Sequence, residues 1–468
     1  MPSLSDLAPK VSLYETMALV VHLMGPGYVS LLLVGLLSVV IEAGVAPVPP
    51  FWLDVTDSVD AGLTWLRNTR IYSDARVAPP AKGLALRVLL EKRAAANVRG
   101  SILGYAAAGP ADQALARSTV QAILNNATYG VARGGCSRDE GFRAYSDGQN
   151  MSALSLYTST GGPNIDNVCH FTLRSAIDRL VTRTLGAQSR TGDSSGFWGY
   201  TGGGDLSGTT LFAASGLAAA REYYLKVDTP PRTDPVAAAQ VTAITEALSR
   251  TARSYASSQN ADGGEGDLVN GDRFSTEGAS SYQQTAAGLW ASLLGGMGLN
   301  TSSVQGFLKW QYQNYNYQTV YAAFGTGEHS YYFSLWASSM AYTILEERGL
   351  APEVGYVGTH DPGTLPAGPI RLDRVGDRLA ARNPAADFDA RVAFVGEAHH
   401  PGKYNGEKSG WCYDYVHTLM TQQLATGQFE DNQRDSRATV SLTDGIWDPY
   451  IDHAYAMLVL ERASSHCR

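Results

Sequence analysis

The chain has 468 residues, of which 17% are charged and 44% hydrophobic, and its net charge is −8. That length can bury a large core, in one large domain or in two to three ordinary ones. The acidic balance, with no basic stripe interleaved by aromatics, excludes a nucleic-acid footprint, which needs clustered Lys and Arg.

From Met17 to Ile41 the chain carries no formally charged residue, and no Lys or Arg occurs between Lys10 and Arg67. Such a run suits a bilayer core or the apolar part of a signal peptide. Small residues follow in EAGVA (42–46), then PVPP. Residues 1–46 are therefore expected to be a signal peptide or a membrane anchor. The protein would then be extracytoplasmic: secreted, periplasmic, or held at the membrane through residues 17–41. Cys136, Cys169, Cys412 and Cys467 form an even set without a CxxC pair. In an oxidising compartment they could make two disulfides, with three connectivities open.

After Pro50 helix signals recur and strand signals are scarce. Ile177, Leu180, Val181, Thr184 and Leu185 form one apolar stripe. Asp234-Pro235 is a capped helix start, and Val241, Ile244, Leu248, Ala252 and Tyr255 follow on one face. The segments 81–93, 281–294, 330–345, 412–424 and 448–463 look alike, each opening on a polar or aromatic residue and continuing with small and aliphatic ones. Residues 149–159 are a shorter member. Helix hairpins recurring at tens of residues mean a repeat architecture. Residues 351–410, rich in Gly, Pro, Asp and His, break the pattern as a long irregular excursion.

The stretch GFWGYTGGGDLSGTT (196–210) has no Lys and no preceding strand, so it is not a phosphate loop. With its flanks, GAQSRTGDSSGFWGYTGGGDLSGTTLFAASGL (186–217) resembles the repeat of the squalene cyclase and protein prenyltransferase superfamily. In that repeat a Gln ending an outer helix is followed by glycines, an aromatic and an inner helix. Gln188 and Trp198 occupy those places. Gln423, Gly427 and Phe429 make a looser copy, and Gln259 with DGGEG a third without the aromatic. The resemblance implies an all-α fold, an (α/α) toroid of two concentric rings around a central cavity. Residues 47–350 would be its first part and 411–468 its closing hairpins, with Trp198 and Tyr200 bracing a turn. The last hairpin is similar to the ring-closing repeat of exported bacterial members of unassigned role.

The catalytic motifs of that superfamily are missing. No DxDD acid occurs, and DVTD (54–57) has the wrong spacing. Aligned with the prenyltransferase zinc motifs, GWCYDY puts Cys412 on the Cys and Gly410 on the Asp. YIDHAY puts Asp452 on the His, with His453 adjacent. No cofactor and no metal is expected; Cys412, Asp452 and His453 are the zinc alternative, weighed against a half-cystine and a helix cap. Acid/base candidates near inner-helix starts are Asp205, Glu277, Glu328, Asp414 and Asp452, with His453 beside the last. Tyr200, Tyr282, Tyr331, Trp336, Tyr413 and Tyr455 could line the cavity, weighed against plain core packing. The functional expectation is a binding or interaction module holding a small apolar or carbohydrate ligand. An enzyme acting on an isoprenoid or a polysaccharide, and a structural surface protein, are the alternatives.

Overall fold

A computed structural model separates the chain into residues 1–49 and 50–468. It describes residues 50–69, 71–72, 79–93, 102–125, 142–192, 194–203, 207–227, 234–266, 279–314, 331–347, 393–394, 397–398, 411–429 and 449–466. The expected signal peptide or anchor lies outside them. Among the described residues no helix is long and apolar enough to cross a membrane.

The described fold is all-α. In chain order the helices are α1 (Pro50–Asn68), α2 (Pro79–Glu91), α3 (Pro110–Leu124), α4 (Ala144–Ser159), α5 (Leu173–Ala187) and α6 (Ser207–Val227). Then come α7 (Pro235–Ser258), α8 (Tyr282–Leu294), α9 (Ser302–Gln313), α10 (Tyr331–Glu347), α11 (Trp411–Gln422) and α12 (Pro449–His466). Within residues 351–410 the only described structure is a two-residue antiparallel pair, Ala393–Phe394 with Glu397–Ala398.

Odd and even helices differ in kind. On α7 the buried residues, among them Ile244, Leu248, Ala252 and Tyr255, form one stripe, as an amphipathic helix on a core requires. Its start is the one read from sequence. Asp234 accepts hydrogen bonds from the backbone N–H groups of Val236 and Ala237 at 2.9 and 3.2 Å, and Pro235 begins the helix. Even helices are buried all round: α4 from Ser146 to Ser155 without a break, and α8 from Thr285 to Leu293. A helix buried on every face needs neighbours on every face. The contacts supply them: α2 packs on α4, α4 on α6, α6 on α8, α8 on α10, α10 on α12, and α12 on α2. The odd helices pack against members of this circuit, α7 for example against both α6 and α8. Residues 412–424, grouped by sequence with the small-residue helices, fall on α11 in an odd place. The segment containing 149–159 is a full even helix.

Small residues set the closest approach. A side chain on Gly148 of α4 would collide with the Phe212 backbone carbonyl of α6, and one on Gly216 would sit 2.6 Å from the Gly148 carbonyl oxygen. On its outward face α4 carries Asp147, fully buried, which takes an Arg183 Nε hydrogen bond from α5 at 2.8 Å.

Candidate functional site

Three turns from an odd helix toward the next even one are built alike, and they engage several of the sequence candidates. Gln188, Gln259 and Gln423 each follow an odd helix. Each donates from Nε2 to the carbonyl of a glycine, Gly196, Gly263 or Gly427, at 3.0, 2.9 and 2.9 Å. Those glycines have φ of 92°, 88° and 86°, a left-handed conformation that favours glycine. Each amide also reaches the next odd helix: Gln188 the Ala247 carbonyl on α7, Gln259 the Ser303 carbonyl on α9. Gln423 reaches the Ser58 carbonyl on α1, joining the last odd helix to the first.

Two residues past each glycine, a backbone N–H is taken up by an even-helix side chain. Trp198 donates to Thr210 Oγ1 at 2.8 Å, Glu265 to Thr285 Oγ1 at 3.0 Å, and Phe429 to His453 Nδ1 at 3.1 Å. His453 therefore does in its turn what threonine does in the others. Its Nδ1 accepts, so its Nε2–H is the donor to the Gly62 carbonyl at 3.2 Å. Burial lowers its pKa to about 3, against which the Gly62 hydrogen bond acts only partly. Both ring nitrogens of His453, a candidate for an acid/base or zinc role, are engaged by backbone. Because the unfolded chain takes up this proton near pH 6.5 and the folded chain only near 3, stability falls as pH drops through that window. The slope is about 1.4 kcal/mol per pH unit at most. His453→Thr should lower stability at pH 7, losing the Gly62 bond, yet flatten the loss between pH 7 and 4.5. Urea midpoints at the two pH values check this.

The other candidates separate cleanly. Cys412 is buried, and both it and the half-buried Cys169 are disulfide-bonded. A sulfur so bonded is not the thiolate that zinc requires. Among the described residues no group of His, Cys, Asp and Glu could hold a metal. Asp452 lies buried within the first turn of α12, inside the helix instead of at its cap. Tyr200, expected both to brace a turn and to line a cavity, is 48% exposed and stacks on Tyr145 at the surface. Trp198 is the brace: fully buried, it donates from Nε1 to the Thr184 carbonyl at 2.7 Å. Tyr282 packs edge-on to Trp310 of α9, and the Tyr331 hydroxyl takes a hydrogen bond from Gln422. Cys136, Cys467, Asp205, Glu277, Glu328 and the side chains of Tyr413 and Asp414 lie outside the described residues.

Two cavity candidates, Trp336 and Tyr455, meet in one aromatic cluster between the even helices. Their rings stack at 4.8 Å, and Trp290 meets Trp336 edge-on at 4.9 Å. Phe333 and Phe212 extend the cluster, and Tyr145 lies 4.3 Å from Phe212. The Arg87 guanidinium sits 5.6 Å from the Trp336 ring centre, within cation–π range. Every even helix thus contributes one group or more. On three of these helices, α6, α8 and α10, exposure rises toward the C-terminal end. Trp336 is sealed, Met340 one turn on is 8% exposed, and Ile344 is half-buried. Phe212 gives way to Ala219, half-buried, two turns on, and Trp290 to Leu294.

One wall is polar. Arg87 donates from Nε and Nη2 to Glu91 Oε1 at 2.9 and 2.6 Å, and Arg462 donates to Glu91 Oε2 at 2.8 Å. Burial resists ionisation of Glu91, but Arg462 and Arg87 outweigh it and hold the carboxyl below its ordinary pKa. Burial, reinforced by the Glu91 charge, pushes Glu461 well above its own. The surroundings thus favour the ionised form of Glu91 and the neutral form of Glu461. Glu461→Gln, which keeps a neutral group of the same shape, should be tolerated at neutral pH and should flatten the stability loss that Glu461 causes as pH rises above its unfolded value. Glu91→Gln should cost about 3–5 kcal/mol, since it leaves buried guanidinium groups unanswered. Thermal melts of both variants at pH 5 and 8 test the pair. Sequence reasoning passed over Arg87, Glu91 and Glu461, although charges inside all-round apolar segments such as GLALRVLLE were a usable signal.

Comparison with known proteins finds no match: no family model, no curated protein and no solved structure aligns with the chain.

Proposed function

We propose that residues 50–466 close into an (α/α) toroid, as the resemblance implied, and that it works as a binding module. A small ligand would enter between the C-terminal halves of the even helices. The observation that carries this is the convergence of side chains from all six even helices on one aromatic floor, with the same faces opening above it. Concave sites with apolar walls and a few placed polar groups are where small ligands bind. Closure is supported by the packing circuit that returns from α12 to α2 and by the Gln423 bridge to α1. Export is supported by the bonded state of Cys169 and Cys412, since disulfides persist in oxidising compartments.

Ala219→Trp fills the opening from a half-buried position and leaves the floor intact. Native mass spectrometry of the purified full chain should show a bound small molecule that this variant excludes, with melting temperature little changed. Identical occupancy in both proteins, or no bound mass and no ligand found on screening, overturns the reading. The opposite shifts of Glu91 and Glu461 favour one second reading, an acid/base enzyme at the same wall. Turnover of a glycoside that Glu461→Gln abolishes without loss of binding would decide for it.

A further inference from the structure

Gln149 is 1% exposed, and neither end of its side-chain amide has a hydrogen-bond partner. Its direction follows from its neighbours on α4. Asp147 faces α5, Gly148 lies against Phe212 of α6, and Asn150 lies by Gly83 of α2. Successive helix residues turn by about 100°, so with these three directions taken, Gln149 points to the remaining one, the centre of the even helices. Its backbone contact level, next to Gly148 against Phe212, is that of the aromatic floor. There the indole N–H groups of Trp290 and Trp336, 2% and 0% exposed, are also without partners. A buried polar group left unmatched costs about 1–3 kcal/mol, and three at one level call for a common explanation.

We infer that this floor takes a small neutral polyhydroxy ligand, a sugar or polyol, hydrogen-bonded by the Gln149 amide and the indole N–H of Trp336. A hydroxyl both donates and accepts, so it can answer Gln149 Oε1 and Nε2 and the indole donor alike. A carboxylate could only accept, would leave Oε1 unanswered, and would approach the ionised Glu91. An ammonium could only donate, would leave the indoles unanswered, and would approach Arg87. The hydroxyls of Ser152 and Ser215, 7% and 6% exposed, lie one turn above Gln149 and Phe212. They add polar groups to the wall at that level.

The inference rests on the mouth being a binding site, and the test separates the two. Wild-type protein and Gln149→Leu are titrated with glucose, with glycerol and with farnesol as an apolar control, following tryptophan fluorescence and the urea midpoint. The expected result is saturable quenching by glucose or glycerol that weakens at least tenfold in Gln149→Leu, while the variant, relieved of a buried unmatched amide, is the more stable protein. Quenching by farnesol alone overturns the polyol assignment and leaves the mouth as a site. No quenching by any probe, with Gln149→Leu less stable than wild type, means the amide is held by internal water, and both readings fall.

Discussion

Gly148→Val should leave no folded protein at 25 °C. The α4–α6 interface is backbone on backbone at this point, so a side chain at 148 meets the Phe212 carbonyl, which no rotamer change can move. Overpacking a well-filled core by flexible groups costs about 1–3 kcal/mol, and here the obstacle is another main chain. The two helices would have to separate along their length, opening the contacts of Gly216 and Met151 as well. Gly148→Ala should already be strongly destabilised. Gly186→Ala is the control: it lies on exposed α5 with nothing near its Cβ position. It should gain about 0.5–1 kcal/mol from reduced freedom of the unfolded chain. Far-ultraviolet circular dichroism during urea titration reads all three. A folded Gly148→Val protein with wild-type midpoint would mean that α4 and α6 are not packed as described.

Arg183→Ala should cost about 3–5 kcal/mol. Its partner Asp147 is fully buried, and Arg183 itself is 6% exposed at the side chain, so water cannot replace the lost guanidinium. The carboxylate would keep the Arg143 backbone N–H, at 3.1 Å, which carries no charge to answer its own. Replacing both partners, as Asp147→Leu with Arg183→Met, should recover most of the loss, because a buried pair often contributes little beyond its own desolvation. A double-mutant cycle from urea midpoints measures the coupling. If Arg183→Ala alone loses under 1 kcal/mol, the ion pair is solvated and the interior of the α4–α5 contact is wetter than its burial implies.

Much of the molecule was present in local patterns. Asp234-Pro235 fixes the start of α7 because a carboxylate and a proline satisfy the first turn without help from elsewhere. The stripes of α5 and α7 state which faces are buried, since an amphipathic helix needs only its own period to do so. The Gln–Gly turns could be read because their chemistry is short-range: an amide, a left-handed glycine, and an aromatic or its substitute. What these patterns could not carry was direction between helices. Even helices are buried on all sides and have no period to say which face meets the centre. Trp336 and Tyr282 therefore looked equivalent as cavity residues, yet one lies in the floor and the other packs on α9. His453 invited an acid/base or metal role because its composition permits one; only the arrival of Phe429 and Gly62 from distant parts of the chain engages both its nitrogens.

The sequence by itself determined that the described chain is helical, where α7 starts, and which residues make the turns, because those follow from interactions within a few residues. Only the tertiary structure decided that the last odd helix reaches back to the first, and that Arg87 and Glu91 of α2 meet Trp336 of α10 and Arg462 of α12. Those juxtapositions join groups tens to hundreds of residues apart, and only the packing of backbones in three dimensions determines them.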